Sequence, residues 1–470
     1  MLSLYGLSLK IRKIMNLKLI FYSGVGSVTG ANFLLQFDNK RVLVDCGLIQ
    51  GEKFAMRENR EDFGYDPKSI DMLFITHAHL DHIGRIPKLV KEGFKGPIYS
   101  TPETMSLAEL ILEDAVGILD KEARRDSVLP MYEMQDMKDA MALWQTIPYH
   151  TPNNFGEFSV YLKDAGHILG SSMIEFSWKN NKNIEKKILF TGDLGNSPSP
   201  LLRDTEFPLN ANYMIMESVY GNRNHEPKEE RIEKLKNVIK STVERSGSVI
   251  IPSFSMERTQ VIIYELNKLV ESKLIPSIPV YIDSPLASRI TEVYKASTNL
   301  FNRNIKEEIE KGDDVFDFPR LLFTTSGEMS REIDHSKSSK IIIAGSGMSV
   351  GGRVIHHEEV YLEDPKSTIL LVGYQTLGTL GRHLIDGEKT VTINNNKIKV
   401  KAKIESILGY SSHKDSDNLV DFVSKAEGTL EKVFVVMGEP KASTFLAQRI
   451  RDEIGLDAVV PEREIEYELD

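Results

Sequence analysis

Seven residues, Thr76-His77-Ala78-His79-Leu80-Asp81-His82, place three imidazoles and a carboxylate directly behind the apolar run Met72-Leu73-Phe74-Ile75. A run of that kind reads as a strand, and the stretch after it, about Gly84–Glu92, reads as a helix. The four polar side chains must therefore crowd one strand end. They would repel one another or strand polar atoms there unless a cation gathers them, and histidine with aspartate is a zinc-type donor set. A solvent-facing histidine-rich turn is the alternative. Asp193, which closes ILFTGD, is a candidate fifth donor, and His167, set on a loop by Gly166 in DAGHILGSS, is a sixth. Taken alone, neither carries much; their weight comes from joining the cluster.

The text around this cluster is of two kinds. From 17 to 211 short β-rich runs alternate with turns: KLIFYSG, ANFLLQF, KRVLVDCG, MLFITH, PIYST, FSVYLKDAG, SMIEFSW, KKILFTGD and YMIMES. Glycines or Asn/Asp clusters punctuate them, which suits a sheet-rich domain; one longer helix is expected around Ser106–Asp120. After Tyr220, the strand-like runs SVIIPSF, PVYIDSP, RLLFTTS, KIIIAGS and TILLVGY alternate with helical stretches near Lys228–Ser246, Thr259–Glu271 and Ala287–Lys311. That alternation reads as βαβ units on a mainly parallel sheet. From about Lys389 β-rich text returns, with a hairpin turn expected at Asn394-Asn395-Asn396. A different domain thus interrupts a first one, with expected boundaries at 17–211, 212–388 and 389–470.

Composition narrows the function classes. The balance of 58 Lys+Arg against 68 Asp+Glu gives a net charge of −10, which argues against non-specific coating of nucleic acid; a polyanionic substrate would need a local basic patch. The single cysteine, Cys46, excludes an internal disulfide framework and a cysteine-based zinc site. No apolar run approaches the ~18–20 residues of a membrane span. Leu19-Ile20-Phe21-Tyr22, after Lys10, Arg12, Lys13 and Lys18, is too short for a signal-peptide core. A cytoplasmic protein without a membrane segment is expected.

The ordered set Asp45 (VLVDCG), His77-x-His79-x-Asp81-His82, His167 (AGH) and Asp193 (TGD) resembles the metallo-β-lactamase superfamily. The segments after it, Glu217 in MESVYGNR, then IPSFSMERTQ, GSGMSVGGR, GYQTLGTLGR and GYSSHKD, resemble its β-CASP branch, the nucleic-acid nucleases that include RNase J and the endonuclease of pre-mRNA 3′ end processing. The resemblance implies a mixed α/β fold, an αβ/βα sandwich with an inserted β-CASP domain and an RNA-specificity-type C-terminal segment. It also implies a zinc-dependent ribonuclease. His77, His79 and His167 would bind one zinc ion, Asp81 and His82 another, and Asp193 would bridge them. Paired cations suit phosphodiester hydrolysis, since they clamp the attacking and leaving oxygens. Asp81 would orient the attacking hydroxide together with Asp193, and Asp45 would fix a ligand histidine through its ring N–H. His413 would contact the scissile phosphate and act as general acid, and Glu217 would hydrogen-bond into the site.

Three features qualify that picture. The family ends its site with a strand-end His-Gly-Glu, whereas this chain reads VFVVMGEP: Met437 holds the histidine's position, so the second zinc is expected to be held less firmly, with water or Glu439 as substitutes. Glycines in GSGM, GGR and GTLGR lie after apolar strands, and Gly347, Gly352, Arg353, Gly381 and Arg382, with Arg258 and Ser412, are the expected substrate-binding residues. His356, His357 and His383 read as structural or groove residues. The first functional reading is a ribonuclease, endonucleolytic, leaving 5′-phosphate and 3′-hydroxyl ends and acting on single-stranded RNA, with DNA as the alternative strand and a homodimer among the assemblies left open. Competing readings are a catalytically weakened RNA-binding or complex subunit, and a metallohydrolase of a small phosphodiester or thioester.

Overall fold

The computed structural model describes residues 17–51, 55–376, 378–426 and 428–470, with the backbone alone at 228 and 229. The basic stretch with Lys10, Arg12 and Lys13 lies outside the described residues.

Two seven-stranded sheets face each other. The first runs in the order Glu466–Leu469, Leu17–Ser23, Asn32–Gln36, Arg41–Val44, Met72–Phe74, Ile98–Ser100, Trp144–Thr146. The second runs Asp457–Val459, Lys432–Val435, Tyr213–Met216, Glu185–Phe190, Ser172–Lys179, Phe158–Asp164, Asn153–Asn154. Aromatic side chains from both inner faces, among them Phe21, Phe33, Phe74, Phe176, Phe190 and Phe434, fill the space between them. Each such ring buries roughly 150–250 Å² and dominates a core of this kind. Helices close the outer faces: Pro102–Arg125 and Ile86–Lys91 cover the first sheet, Ser416–Ser424 and Pro440–Arg449 the second. This is the four-layer αβ/βα sandwich expected from the sequence.

Both sheets take strands from distant parts of the chain. Glu466–Leu469 pairs antiparallel with Leu17–Ser23, and Lys432–Val435 pairs parallel with Tyr213–Met216. Along the chain between Tyr213–Met216 and Lys432–Val435 lies a separate six-stranded sheet, wholly parallel, ordered Leu321–Phe323, Val280–Asp283, Ile341–Ala344, Val249–Pro252, Thr368–Val372, Lys403–Ile407. Ile341–Ala344 and Thr368–Val372 are buried at every position, the pattern of strands covered by helices on both faces. The expected return at residue 389 falls short of the observed one. The hairpin Thr390–Ile393/Asn396–Lys399 packs into the core of the second unit, and Lys403–Ile407 pairs with Thr368–Val372, so the chain leaves that unit only after Ile407. β-rich text looks alike in either unit; only strand order separates them. Asn394 and Asn395, both at positive φ, make the hairpin turn, as asparagine pairs do in tight hairpins.

The chain crosses between the units twice, and the two crossings are laced together. Ser416 donates to the carbonyls of Arg223 and Gly221 through its N–H and Oγ (3.1 and 2.7 Å). The His225 N–H donates to Asp415 Oδ2 (3.1 Å), and Asn224 Nδ2 to Asp417 Oδ2 (2.6 Å). A third tie joins helix Pro102–Arg125 to helix Pro285–Ala296 through Arg289 and Glu113 (2.6 Å).

The turn that carries the clustered donors is clamped by its neighbours. The expected helix at Gly84–Glu92 begins earlier and is split, as Leu80–Ile83 and Ile86–Lys91, so Asp81 and His82 ride on a helical turn. Residues 45–48 lie against it: Cys46 N donates to His82 O and Leu48 N to Leu80 O (both 2.8 Å), and Arg85 N to Cys46 O (2.9 Å). A Cβ on Gly47 would stand 1.5 Å from the Asp81 carbonyl oxygen. No side chain fits there. Gly47→Ala is expected to cost about 3 kcal/mol or more, at or beyond the upper end of ordinary overpacking, measured as a drop in the urea midpoint with unchanged slope.

Candidate metal centre

Asp45 sits just past strand Arg41–Val44 with a left-handed backbone (φ 60°) and is buried. It collects three donors. The Thr76 N–H donates to Oδ1 and the Thr76 hydroxyl to Oδ2 (both 2.8 Å), and His82 Nδ1–H donates to Oδ2 (2.7 Å). The Thr76 hydroxyl in turn accepts from His77 Nδ1–H (3.0 Å). The carbonyl of Ser412 faces His167 Nδ1 at 3.4 Å. Three imidazoles thus have Nδ1 turned to an oxygen behind them, which aims Nε2 of each at a common centre.

At that centre, His77, His79, His167 and Asp193 offer ligand atoms that all lie within 4.8 Å of one another. His79 Nδ1 is 3.1 Å from His77 Nε2 and 3.3 Å from His167 Nε2. It carries at most one proton, so it cannot satisfy both. Asp193 Oδ2 lies 3.4 Å from His77 Nε2 and 3.6 Å from His167 Nε2, while Oδ1 lies 3.4 Å from His82 Nε2. That last pair makes no hydrogen bond, and His82 Nε2 and Asp193 Oδ1 are both buried without a partner. Each unsatisfied buried polar atom costs about 1–3 kcal/mol. A cation between these donors answers all of them at once, and the residues present fit a metal ion.

Electrostatics agree. Burial lowers the pKa of His77, with the His82 charge adding to it; burial also lowers His79, helped by His77, and His167, helped by His413. Three neutral imidazoles are the form that ligates metal. Burial opposes ionisation of Asp193 too, but His82 and His77 overcome it and hold the carboxyl well below its ordinary range. His82 is the exception among the histidines. Burial works against its charge, yet Asp193 and Asp45 raise its pKa well above the usual value. The Asp81 carboxyl is pushed up by burial, with His82 opposing. It shares the turn with His82 but belongs to neither compact donor group.

A second group, Asp193 with Glu217 and His413, adjoins the first. His413 Nδ1 lies 3.1 Å from Glu217 Oε2, and the Leu194 N–H donates to Glu217 Oε1 (2.6 Å). Burial alone would lower the pKa of His413, but the Glu217 carboxylate raises it to about 9. Met437 stands beneath the cluster, 2% exposed at φ 48°, in a pocket it shares with Asp45, Thr76, His82 and Glu217. Its sulfur lies 2.8 Å from where a Gly24 Cβ would be, so the thioether is packed into the sandwich core. Glu439, the alternative donor, begins helix Pro440–Arg449 and is exposed.

The expected substrate residues divide. Arg353 is committed to Asp283 (2.6 Å) and Arg382 to Asp386 (2.9 Å). Gly347 lets Phe254 approach, Gly352 the Gly345 carbonyl and Gly381 the Gln375 side chain, so these glycines serve loop-on-loop packing. Arg258 differs. Its guanidinium donates to Val372 O (3.0 Å), lies over the Phe254 ring, and lines a pocket between the units with His167, Ser411 and Ser412. His357 is buried between Asp283 (2.7 Å) and Asp334 (3.1 Å), and His356 and His383 each pair with an acid, so all three are structural.

Sequence reasoning missed Thr76, the hydroxyl that joins Asp45 to His77, although it stands in the quoted motif. It also missed Glu257. That buried residue has φ 62° and ψ −60°, and the Arg258 N–H reaches back across it to Met256 O (2.8 Å), a strained γ-turn. Burial raises its carboxyl to about 8, and it accepts from the Tyr294 hydroxyl (2.5 Å), which accepts from Leu169 N–H beside His167 (3.3 Å). Glu257 stands inside the quoted segment IPSFSMERTQ, but nothing in that text announces the turn or the contact.

Comparison with known proteins places this geometry. Family models match residues 26–162 (metallo-beta-lactamase superfamily), 259–384 (Beta-Casp domain) and 397–461 (Zn-dependent metallo-hydrolase RNA specificity domain). Ribonuclease TTHA0252 of Thermus thermophilus is 32% identical over 407 residues, 87% of this chain and 90% of its own length. The chain belongs to the metallo-β-lactamase superfamily, in its β-CASP branch. Transcription termination factor FttA of Methanosarcina mazei is 31% identical over 452 residues, covering 92% of this chain and 69% of that protein. A crystal structure of a protein of unknown function from Enterococcus faecalis V583 superposes with a TM-score of 0.56 at 13% identity, over 97% of this chain and 100% of that one; the likeness is one of fold. No described helix of this β-CASP protein is long and apolar enough to cross a membrane.

The Glu217–His413 pair has a testable pH signature. His413 has a folded pKa of about 9, above the ~6.5 of an unfolded histidine. Its contribution is therefore full near pH 6 and is lost as pH rises through about 9. In chelator-treated protein, Glu217→Gln should lower the urea midpoint at pH 6 and close that gap by about pH 9.5.

Proposed function

We propose that this β-CASP protein is a metal-dependent ribonuclease that hydrolyses phosphodiester bonds of single-stranded RNA, cutting within the strand. The observation that carries it is the convergence of His77, His79, His167 and Asp193 within 4.8 Å, with the Glu217–His413 pair at its edge. Its likeness to a ribonuclease over 87% of the chain supports the substrate class. Zinc is the metal this donor set favours. His77, His79, His167 and Asp193 would hold one ion; Asp81, His82 and Asp193 would hold a second, which Met437 completes poorly because a thioether is a soft, weak donor. When bound, the metal supplies Lewis acidity toward the phosphodiester and lowers the pKa of water.

The chain's own residues do the rest. Asp45 holds His82 in the tautomer that leaves Nε2 free, and Thr76 does the same for His77. Glu217 keeps His413 protonated at neutral pH, so a proton is available for the leaving oxygen at the edge of the donor cluster. Arg258, half-buried with no carboxylate partner among the described residues, is placed to bind a phosphate in the pocket it shares with Ser411 and Ser412. A second reading, a catalytically weakened RNA-binding subunit, draws on Met437 alone.

Asp81→Ala and His413→Ala should each reduce cleavage of end-labelled single-stranded RNA by about 10²–10⁴-fold, with RNA binding retained. Undiminished turnover in either variant removes that residue from the chemistry, and native protein that binds RNA without cutting it favours the second reading.

Metal analysis of the purified protein should give between one and two zinc ions, and His77→Ala with His79→Ala should lower that content, since both are donors to the first ion. Met437→His should raise zinc content toward two and increase cleavage. Equal metal and equal activity would show that another group already completes the second site; reduced stability without added metal would show that the pocket has closed around the thioether.

A further inference from the structure

Arg223 lies on the outbound crossing, a short way past Glu217. Its guanidinium sits over two aromatic rings, 4.7 Å from the centroid of Tyr220 and 4.5 Å from that of Tyr374. Tyr220 is buried on the same crossing, and its ring lies 6.1 Å from that of His413. Tyr374 belongs to the second unit, where it follows strand Thr368–Val372 and Gly373, against which the Arg258 guanidinium rests. The two rings therefore come from different parts of the fold. Arg223 contacts both, and the Tyr220 ring links it to His413, the residue that holds the proton for the leaving oxygen.

Two observations separate this arginine from the structural ones. The first is its lack of a counter-charge. Arg353 is paired with Asp283, Arg382 with Asp386 and the buried Arg231 with Glu265. None of the ion pairs among the described residues uses Arg223, although the residue is exposed and the chain carries a net charge of −10. The second is the way it is held. Contact with ring faces restrains a guanidinium without consuming its N–H groups, and no side-chain hydrogen bond of Arg223 is made among the described residues. An immobilised fork with free donors matches the two oxygens of a phosphodiester. A lysine could not be fixed by stacking in this way.

We propose that Arg223, clamped by Tyr220 and Tyr374, binds one phosphate of the RNA strand beside the scissile bond and so sets the register of the strand at His413. The inference rests on the ribonuclease reading above. It adds a positioning contact on the His413 side of the cut, distinct from Arg258 in the pocket between the units. Register matters here because a proton donor acts only on the oxygen within its hydrogen-bond reach.

The test is the salt dependence of binding, which counts phosphate contacts and is not moved by a merely structural role. A fluorescent single-stranded oligoribonucleotide is titrated with the native protein and with Arg223→Gln, Arg223→Lys and Tyr374→Ala over a series of KCl concentrations; KM for cleavage and the melting temperature are measured beside it. Arg223→Gln should bind about tenfold more weakly, as expected for one charge-assisted contact. The slope of log K against log[KCl] should shrink by about 0.7, the value for one phosphate of a single strand, and KM should rise in step. Arg223→Lys and Tyr374→Ala should keep the native slope, since the charge remains, yet bind more weakly, since the fork or its clamp is lost. Native slope and native affinity in Arg223→Gln overturn the proposal. So does a fall in affinity that tracks a lower melting temperature at unchanged slope, which would make the arginine a structural staple. Native protein that neither binds nor cuts RNA overturns the ribonuclease reading itself, and this proposal with it.

Discussion

A carboxylate sealed from water must be answered by donors or it does not stay charged, and Asp45 is where this fold meets that demand. Its oxygens take the backbone N–H and hydroxyl of Thr76 and the Nδ1–H of His82. Those contacts tie the ends of two parallel strands, Arg41–Val44 and Met72–Phe74, to the turn that follows them. The same contacts fix which nitrogen of His82 faces the cleft and, through the Thr76 hydroxyl, which nitrogen of His77 does. The direction in which the donor cluster points is thus decided one layer behind it. The left-handed backbone at Asp45 fits this place, since aspartate is among the residues that tolerate that region.

Much of this was legible in the sequence because its signals are short-range. Histidine spacing behind an apolar strand announces a donor cluster, and a change from β-rich text to alternating strands and helices announces an interrupted domain. His77, His79, His167 and Asp193 do converge, and Glu217 does reach His413. Signals fail where the outcome depends on partners far along the chain. Lys403–Ile407 reads like any β-run, and only its pairing with Thr368–Val372 assigns it to the second unit. Arg353 and Arg382 follow glycine-rich turns and look like phosphate ligands, but Asp283 and Asp386 occupy them. Glu257 and Arg223 lie inside quoted segments, IPSFSMERTQ and MESVYGNR, yet nothing in the text there sets them apart; what makes them notable is a γ-turn in one case and two rings in the other.

Charge in the cleft is sorted by burial rather than by composition. Burial lowers the pKa of His77, His79 and His167, while the carboxylates facing His82 and His413 raise theirs against it. An acidic chain can still present cations to a polyanion, provided that they stand unpaired at the cleft. Arg258 and Arg223 are such cations, and both reach the same strand end of the second unit, at Val372 and Tyr374.

The laced crossings bear on how such a protein can change over time. Gly221 and Arg223 touch Ser416, so the second unit enters and leaves the sandwich through a single doorway. A guest whose two ends lie side by side leaves the host's strands in register whatever its own size. The sandwich can therefore keep its chemistry while the guest is lengthened, trimmed or exchanged. What cannot be traded so freely is the doorway itself, because Glu217, Arg223 and His413 stand in it: the hinge of the module and the edge of the site are the same few residues.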